Sequence, residues 1–172
     1  MNVDAIAVAG EWIRHAPHHA PLLGRSHEPI DGRWQHGAAV RGLYLADTSV
    51  TAIAEWYRRL AELGLPPEHS IPHDHHVWKI DVELADLSTN ERLAALGLSP
   101  PQPSRRTWTS FQHIGEQLWR TGWPGVLAPS AARPGSLIAC VFDAGSWPPS
   151  GCKPVRAIEI NAVPPPPTGM TT

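Results

Sequence analysis

The stretch from Asp31 to Leu65 constrains this chain most, because three local signals follow one another without a gap. Asp31-Gly32 is a turn signal, and Arg33-Trp34 come next. Leu43-Tyr44-Leu45-Ala46 reads as a short apolar strand. Asp47 and Thr48 are good N-cap residues, and a helix is predicted from about Thr48 to Leu63. Val50, Ile53, Ala54, Tyr57, Leu60 and Ala61 recur at helical spacing, with Val50, Ile53, Tyr57 and Leu60 as one stripe. Gly64 and Pro66-Pro67 stop the helix. Glu55 falls almost opposite that stripe, with Arg58 and Arg59 three and four residues on. Taken alone, those charges describe a solvated helix face with local ion pairs worth ~0.3–0.5 kcal/mol each.

Around this unit, the rest of the chain reads as one domain with one core, 172 residues long. A formal net charge of −2 argues against binding nucleic acid by counterion release. No apolar run is long enough for a membrane span, and Met1-Asn2-Val3-Asp4 lacks a basic signal-peptide start, so a cytoplasmic protein is expected. Two cysteines are too few for a disulfide scaffold. Cys140 lies in an apolar run and reads as a buried small residue rather than a nucleophile.

Residues 1–10 are expected to be an irregular lead-in, with Glu11-Trp12-Ile13-Arg14 a short strand ending at His15-Ala16-Pro17. Residues 17–41 read as a long loop that carries Arg33 and Trp34. His69 to His76 reads as a polar loop; a metal site using His73, His75 and His76 is the competing reading. Val77 to Glu83 alternates, so Trp78, Ile80, Val82 and Leu84 are expected inside and Val77, Lys79, Asp81 and Glu83 outside. Ser88 or Thr89 can cap a short helix through Ala95. A further helix runs from Trp108 to Trp119, with Thr107 or Thr109 as its cap. Gly125–Ala131, Ser136–Phe142 and Pro154–Ile160 read as strands. Pro164 to Pro167 mark residues 163–172 as an exposed, extended tail after a domain of residues 1–162. Strands alternate irregularly with helices, which suits an α+β domain of small, twisted, mostly antiparallel sheets with helices around them.

Several phrases are similar to one family. Gly32-Arg33-Trp34, Leu43-Tyr44-Leu45-Ala46-Asp47 and Ala54-Glu55 resemble the core words of the RES domain, the toxin half of RES–Xre toxin–antitoxin modules. The resemblance extends through Asp86-Leu87-Ser88, Gln112-His113-Ile114-Gly115 and Gly125 to Ala131, and covers roughly residues 12 to 143. The chain departs from the family pattern at Asp31, where a glycine is usual, at Gln35 in place of asparagine, and at His15 in place of an aromatic ring.

The resemblance implies an ADP-ribosyltransferase-like fold that acts on NAD as substrate, needs no separate cofactor, and is blocked by an Xre-type antitoxin. It turns the Glu55 face of the helix into a pocket wall. The bond between nicotinamide and ribose breaks through an oxocarbenium-like transition state, which a nearby carboxylate stabilises. Glu55 is the candidate for that role and Arg33 its catalytic companion. Arg14 and Arg33 are candidates for the pyrophosphate or ribose hydroxyls, since a guanidinium fork fits both. Tyr44 could stack on nicotinamide or bond to ribose, and Ser130 could bond to the nicotinamide amide or a ribose hydroxyl. Thr109 and Ser110 are alternatives to Ser130 as the family serine. The acceptor stays open: water, inorganic phosphate or a protein side chain. A non-catalytic module that binds a nucleotide or a partner is the alternative to an enzyme.

Overall fold

The computed structural model describes residues 2–24 and 30–172; within the expected 17–41 loop, residues 25–29 lie outside the described residues. Six strands and three helices follow one another as β1 (Ala5–Pro17), β2 (Arg41–Ala46), α1 (Ser49–Leu63), β3 (His73–Asp86), α2 (Asn90–Ala95), α3 (Trp108–Arg120), β4 (Gly125–Pro129), β5 (Leu137–Asp143) and β6 (Cys152–Ile160).

The strands form one continuous six-stranded sheet, ordered β1-β2-β5-β4-β3-β6 with β1 also paired to β3, and it divides into two three-stranded antiparallel sheets. In one, β3 lies between β1 and β6; in the other, β5 lies between β2 and β4. The sheets join at two places: Ile13 opposite Ala46, and a short parallel pairing of Ala85 and Asp86 with Val126 and Leu127. That parallel step is the exception in an otherwise antiparallel network, as expected for an α+β core. Val8, Trp12, Trp78, Ile80 and Leu84 of the first sheet meet Leu43, Leu45, Leu127, Ala139 and Val141 of the second, and this apolar layer is the central core. The opposite face of β4 and β5 packs Val126, Ala128, Cys140 and Phe142 on Phe111 and Leu118 of α3, Leu93 of α2 and the loop residue Trp34.

Three expectations need correction. Residues 5–10 are not irregular: β1 begins at Ala5 and pairs residue for residue with β3, from Ala5 opposite Ala85 to Pro17 opposite His73. Ile6 and Val8 alternate with alanines there, a short period-2 signal that the long pairing with β3 extends to thirteen residues. His73 to His76 are not a polar loop. They open β3, pair on both edges, and are buried with Asp74 between them. Val77 is also fully buried, because β3 is covered on that face by α1 through Ala52. Lys79, Asp81 and Glu83 are exposed and Trp78, Ile80 and Leu84 buried, as the alternation predicts.

Helix α1 starts where expected. Thr48 is extended, and its hydroxyl accepts from the Thr51 amide at 3.1 Å. Gly64, at φ +64°, ends it in the left-handed conformation that favours glycine. Of the Val50-Ile53-Tyr57-Leu60 stripe only Leu60 is buried; the buried side is Thr51, Ala52, Ala54, Trp56 and Leu60, and Val50 is exposed. The caps of the later helices split. Thr89 caps α2 through the Arg92 amide, whereas α3 is entered by a turn of 3-10 helix (Arg105–Thr107) that Ser104 caps, so neither Thr107 nor Thr109 acts as its side-chain cap.

Candidate active site

A cavity of about 670 Å³ opens between the joined edges of the two sheets, α1 and the loop that follows β1. Arg14, Arg33, Tyr44 and Glu55 all line it, so the structure brings together four of the five candidates, those from the first third of the chain. Arg41, Arg58 and Arg59 add three further cations to its wall.

Glu55 is held at both oxygens. Ser130 donates its hydroxyl to Oε1 at 2.7 Å, and Arg58 donates Nε–H to Oε2 at 2.7 Å. Arg58 also reaches Glu62, which in turn pairs with Arg105 at 3.3 Å. A carboxylate on an ordinary exposed helix samples several rotamers; this one is locked by two charge-assisted bonds. Ser130 is oriented by its own turn. Its oxygen accepts from the amides of Ala132 and Arg133, each at 3.1 Å, so both lone pairs are used and its proton points to Glu55. The structure therefore places Ser130 behind the carboxylate rather than on the cavity lining. Thr109 and Ser110 lie exposed on the first turn of α3, and Ser110 bonds back to the Thr107 carbonyl at 3.2 Å.

Arg33 is buried, with its guanidinium against the ring of Phe111 at 5.2 Å and Trp108 at 5.9 Å. It donates to the Gln102 carbonyl and, at 3.4 Å, to the Thr107 hydroxyl. Burial pulls its pKa down to about 10, with Arg58 adding repulsion and Glu55 opposing both, so it is a cation at neutral pH. Arg14 is lowered by burial too; the neighbour that receives it is the Gly24 carbonyl at 3.5 Å. Tyr44 offers its ring to the cavity while its hydroxyl accepts the Trp34 amide at 2.8 Å. That bond fixes the Gly32-Arg33-Trp34 turn, and Gly32 is needed there because a Cβ would come within 2.4 Å of the Tyr44 hydroxyl. Burial raises the Tyr44 pKa well above its ordinary value.

The turn is also gripped from α3. Gln112 donates to the Gly32 carbonyl at 3.0 Å and to the Gln35 carbonyl at 3.3 Å. Gly115, one helical turn on, lets the Trp34 carbonyl approach so closely that a Cβ would lie 1.9 Å from its oxygen. The Gln-x-x-Gly phrase is thus the clamp that seats Arg33. The Arg58–Glu55 ion pair expected from a spacing of three is present, and Arg58 thereby becomes part of the site.

The histidines do not form the metal site that a His73, His75 and His76 grouping suggests. His73 and His75 stack with His15 and Trp56 beneath α1, at centroid separations of 4.6–5.5 Å. His76 belongs to the other face of its strand and lines the cavity. Burial lowers the pKa of all four, His15 to about 3 and His75 to about 4, so they are neutral packing groups. Among the described residues, His18, His19 and Asp74 do converge. Their two imidazoles are stacked with centroids 3.6 Å apart, closer than the roughly 5 Å that two rings on one tetrahedral zinc adopt. Cys140 is fully buried beside Tyr44 and its thiol is pushed up to about 12, which removes it as a nucleophile.

A cavity between two small antiparallel sheets, walled by arginines around one fixed carboxylate, marks the site of this α+β protein, and its cations suit an anionic ligand. The RES domain model matches residues 7–158, and the chain belongs to the RES domain family. Curated relatives include the NAD(+) phosphorylase MbcT of Mycobacterium bovis and of Mycobacterium tuberculosis, each 27% identical over 124 residues that span 70% of this chain and 67% of theirs. The solved structure of the M. tuberculosis MbcT–MbcA toxin–antitoxin complex matches with a TM-score of 0.79 at 22% identity, over 91% of this chain and 87% of that one, and shares the fold.

Proposed function

We propose that this protein is an NAD-degrading RES toxin that transfers the ADP-ribose unit of NAD to inorganic phosphate. The observation that carries the reading is Glu55, set in the cavity wall with one oxygen held by Ser130 and the other by Arg58. In the reaction, the bond from the anomeric carbon to the nicotinamide nitrogen breaks, and its electron pair leaves with nicotinamide. Nicotinamide departs neutral, so no proton need be supplied. Positive charge develops on the ribose, and the Glu55 carboxylate stabilises it without reorganising. A phosphate oxygen then bonds to the anomeric carbon and gives ADP-ribose-1″-phosphate. Arg33, buried, and Arg14, half-buried, are cationic and suit the pyrophosphate of the substrate. Arg58 and Arg59 add the positive charge that a second anion requires.

Phosphate is preferred over water or a protein side chain on two grounds. Five arginines line one cavity, more than a dinucleotide alone demands, and the curated relatives are named as NAD(+) phosphorylases. NAD is the substrate, and no further cofactor enters the scheme. The matched fold occurs in a toxin–antitoxin complex, which supports an Xre-type antitoxin as the natural inhibitor and the cytoplasm as the place of action. Among the described residues, no helix is long and apolar enough to cross a membrane.

The test is NAD concentration over time with purified protein, with and without phosphate, and with products identified by mass. ADP-ribose-1″-phosphate formed only with phosphate supports the proposal. ADP-ribose formed in both conditions makes the protein a hydrolase instead. NAD left intact in both conditions, and in lysate with labelled NAD, removes the enzyme reading.

A further inference from the structure

The last ten residues, 163–172, are mostly exposed, yet they are fastened at both ends. Near the start, the Tyr57 hydroxyl on α1 donates to the Pro164 carbonyl at 2.6 Å. At the other end, Thr171 donates its amide to the Ala132 carbonyl at 2.8 Å and its hydroxyl to the Ala131 carbonyl at 2.9 Å. Ala131 and Ala132 are buried, and they belong to the turn that begins at Ser130. The Ala132 amide is one of the two donors that orient the Ser130 oxygen. One peptide unit and one side chain therefore connect Thr171 to the hydroxyl that holds Glu55.

We propose that Tyr57 and Thr171 are positioning residues, and that the tail is a strap holding α1 and the Ser130 turn in register. This rests on the reading of Glu55 as the carboxylate that stabilises the ribosyl cation. Glu55 and Ser130 are 75 positions apart, one on α1 and the other on the turn that follows β4. Hydrogen bonds at the turn require buried carbonyls to be satisfied, and the tail supplies two donors for them. Pro164 to Pro167 limit the conformations open to the segment between the two anchors, so little chain entropy is lost when it docks. No tail residue lines the cavity, so the strap leaves the entrance open and acts from behind the carboxylate.

The test uses the full chain. Thr171→Pro removes both donors, Thr171→Val removes the hydroxyl alone, and Thr171→Ser keeps both; Tyr57→Phe releases the first anchor. The readouts are kcat and KM for NAD at saturating phosphate, Tm, and hydrogen exchange at the Ala132 and Arg133 amides. Thr171→Pro should lower kcat about five- to tenfold with KM within about twofold, and should speed exchange at both amides. Thr171→Val and Tyr57→Phe should fall between it and the native protein, and Thr171→Ser should match the native protein. Native kcat and native exchange in folded Thr171→Pro, or in Thr171→Val should the proline variant fail to fold, would overturn the strap. So would a Thr171→Ser variant as impaired as Thr171→Val. If the native protein leaves NAD intact, the exchange readout decides the strap separately from the activity.

Discussion

Replacing Ser130 with alanine tests the arrangement behind the carboxylate most directly. The substitution removes one atom that makes three contacts: a donated bond to Glu55 at 2.7 Å and two accepted bonds from the Ala132 and Arg133 amides at 3.1 Å. A hydrogen bond to a charged group contributes about 1.5–3 kcal/mol. If that stabilisation serves to hold Glu55 in place for the transition state, each ~1.4 kcal/mol lost is a tenfold loss in rate. Ser130→Ala should therefore lower kcat about 10- to 100-fold with KM for NAD nearly unchanged. The two amides lose their acceptor as well. The Ala132 amide is buried, so a loss of about 1–3 kcal/mol in folding stability is expected from its desolvation. The assays are steady-state kinetics with saturating phosphate, and urea denaturation to confirm that the variant is folded at the assay temperature. A double-mutant cycle with Glu55→Gln separates the two effects. The kinetic losses should not add, because Ser130 acts on rate only through the carboxylate. A folded Ser130→Ala with kcat within twofold of native, or additive losses in the cycle, would refute the reasoning.

Three other outcomes follow from the same contacts. Glu55→Gln keeps the shape but removes the charge, and should cost about 100- to 1000-fold in kcat while equilibrium NAD binding, measured by calorimetry, stays near native. Gly115→Ala drives a methyl to within 1.9 Å of the Trp34 carbonyl, so the α3 clamp must shift; a stability loss of about 1–3 kcal/mol in urea and a raised KM are expected, and native values for both would disprove the clamp. The third outcome concerns pH. His15 and His75 are held down to about 3 and about 4, chiefly by burial and then by the neighbouring His73. Unfolded histidine titrates near ~6.5, so the unfolded chain binds more protons at mildly acid pH, and stability falls as pH drops through that value until the folded values are reached. At pH 5 each should cost about 2 kcal/mol, and Tm should fall between pH 7 and pH 5. A His75→Phe variant should flatten that fall, and an unchanged slope would count against the buried cluster.

How much of this was legible in the sequence divides by the range of the interaction. Local chemistry was readable: the Thr48 cap, the Gly64 stop, the strand at Tyr44 and the Gly32-Arg33-Trp34 turn each depend on residues within a few positions. The resemblance to the RES domain rested on these same words, and it pointed to Glu55 and Ser130 before their meeting could be seen. Other signals misled where burial came from distant partners. His73 to His76 look like a wet loop because charged and titratable residues usually face water. They are buried because β1 and β6 pair on both their edges and α1 covers them. The alanine-rich start of β1 carries only a weak strand signal, the alternation of Ile6 and Val8, and is fixed as a strand by thirteen residues of pairing with β3.

By itself, then, the sequence determined most of the elements, the family, and which residue types were available for the chemistry, since periodicity, capping and turn geometry act over one or two turns of chain. The tertiary structure alone decided that Glu55 faces a cavity rather than water and that Ser130 stands behind the carboxylate, while the Arg58 contact is the local ion pair that its spacing of three predicts. It also decided that the proline-rich end returns to the Ser130 turn. These are contacts between groups from 3 to 107 positions apart. The longer of them have geometry that exists only once two sheets have joined and a helix has been laid across their seam.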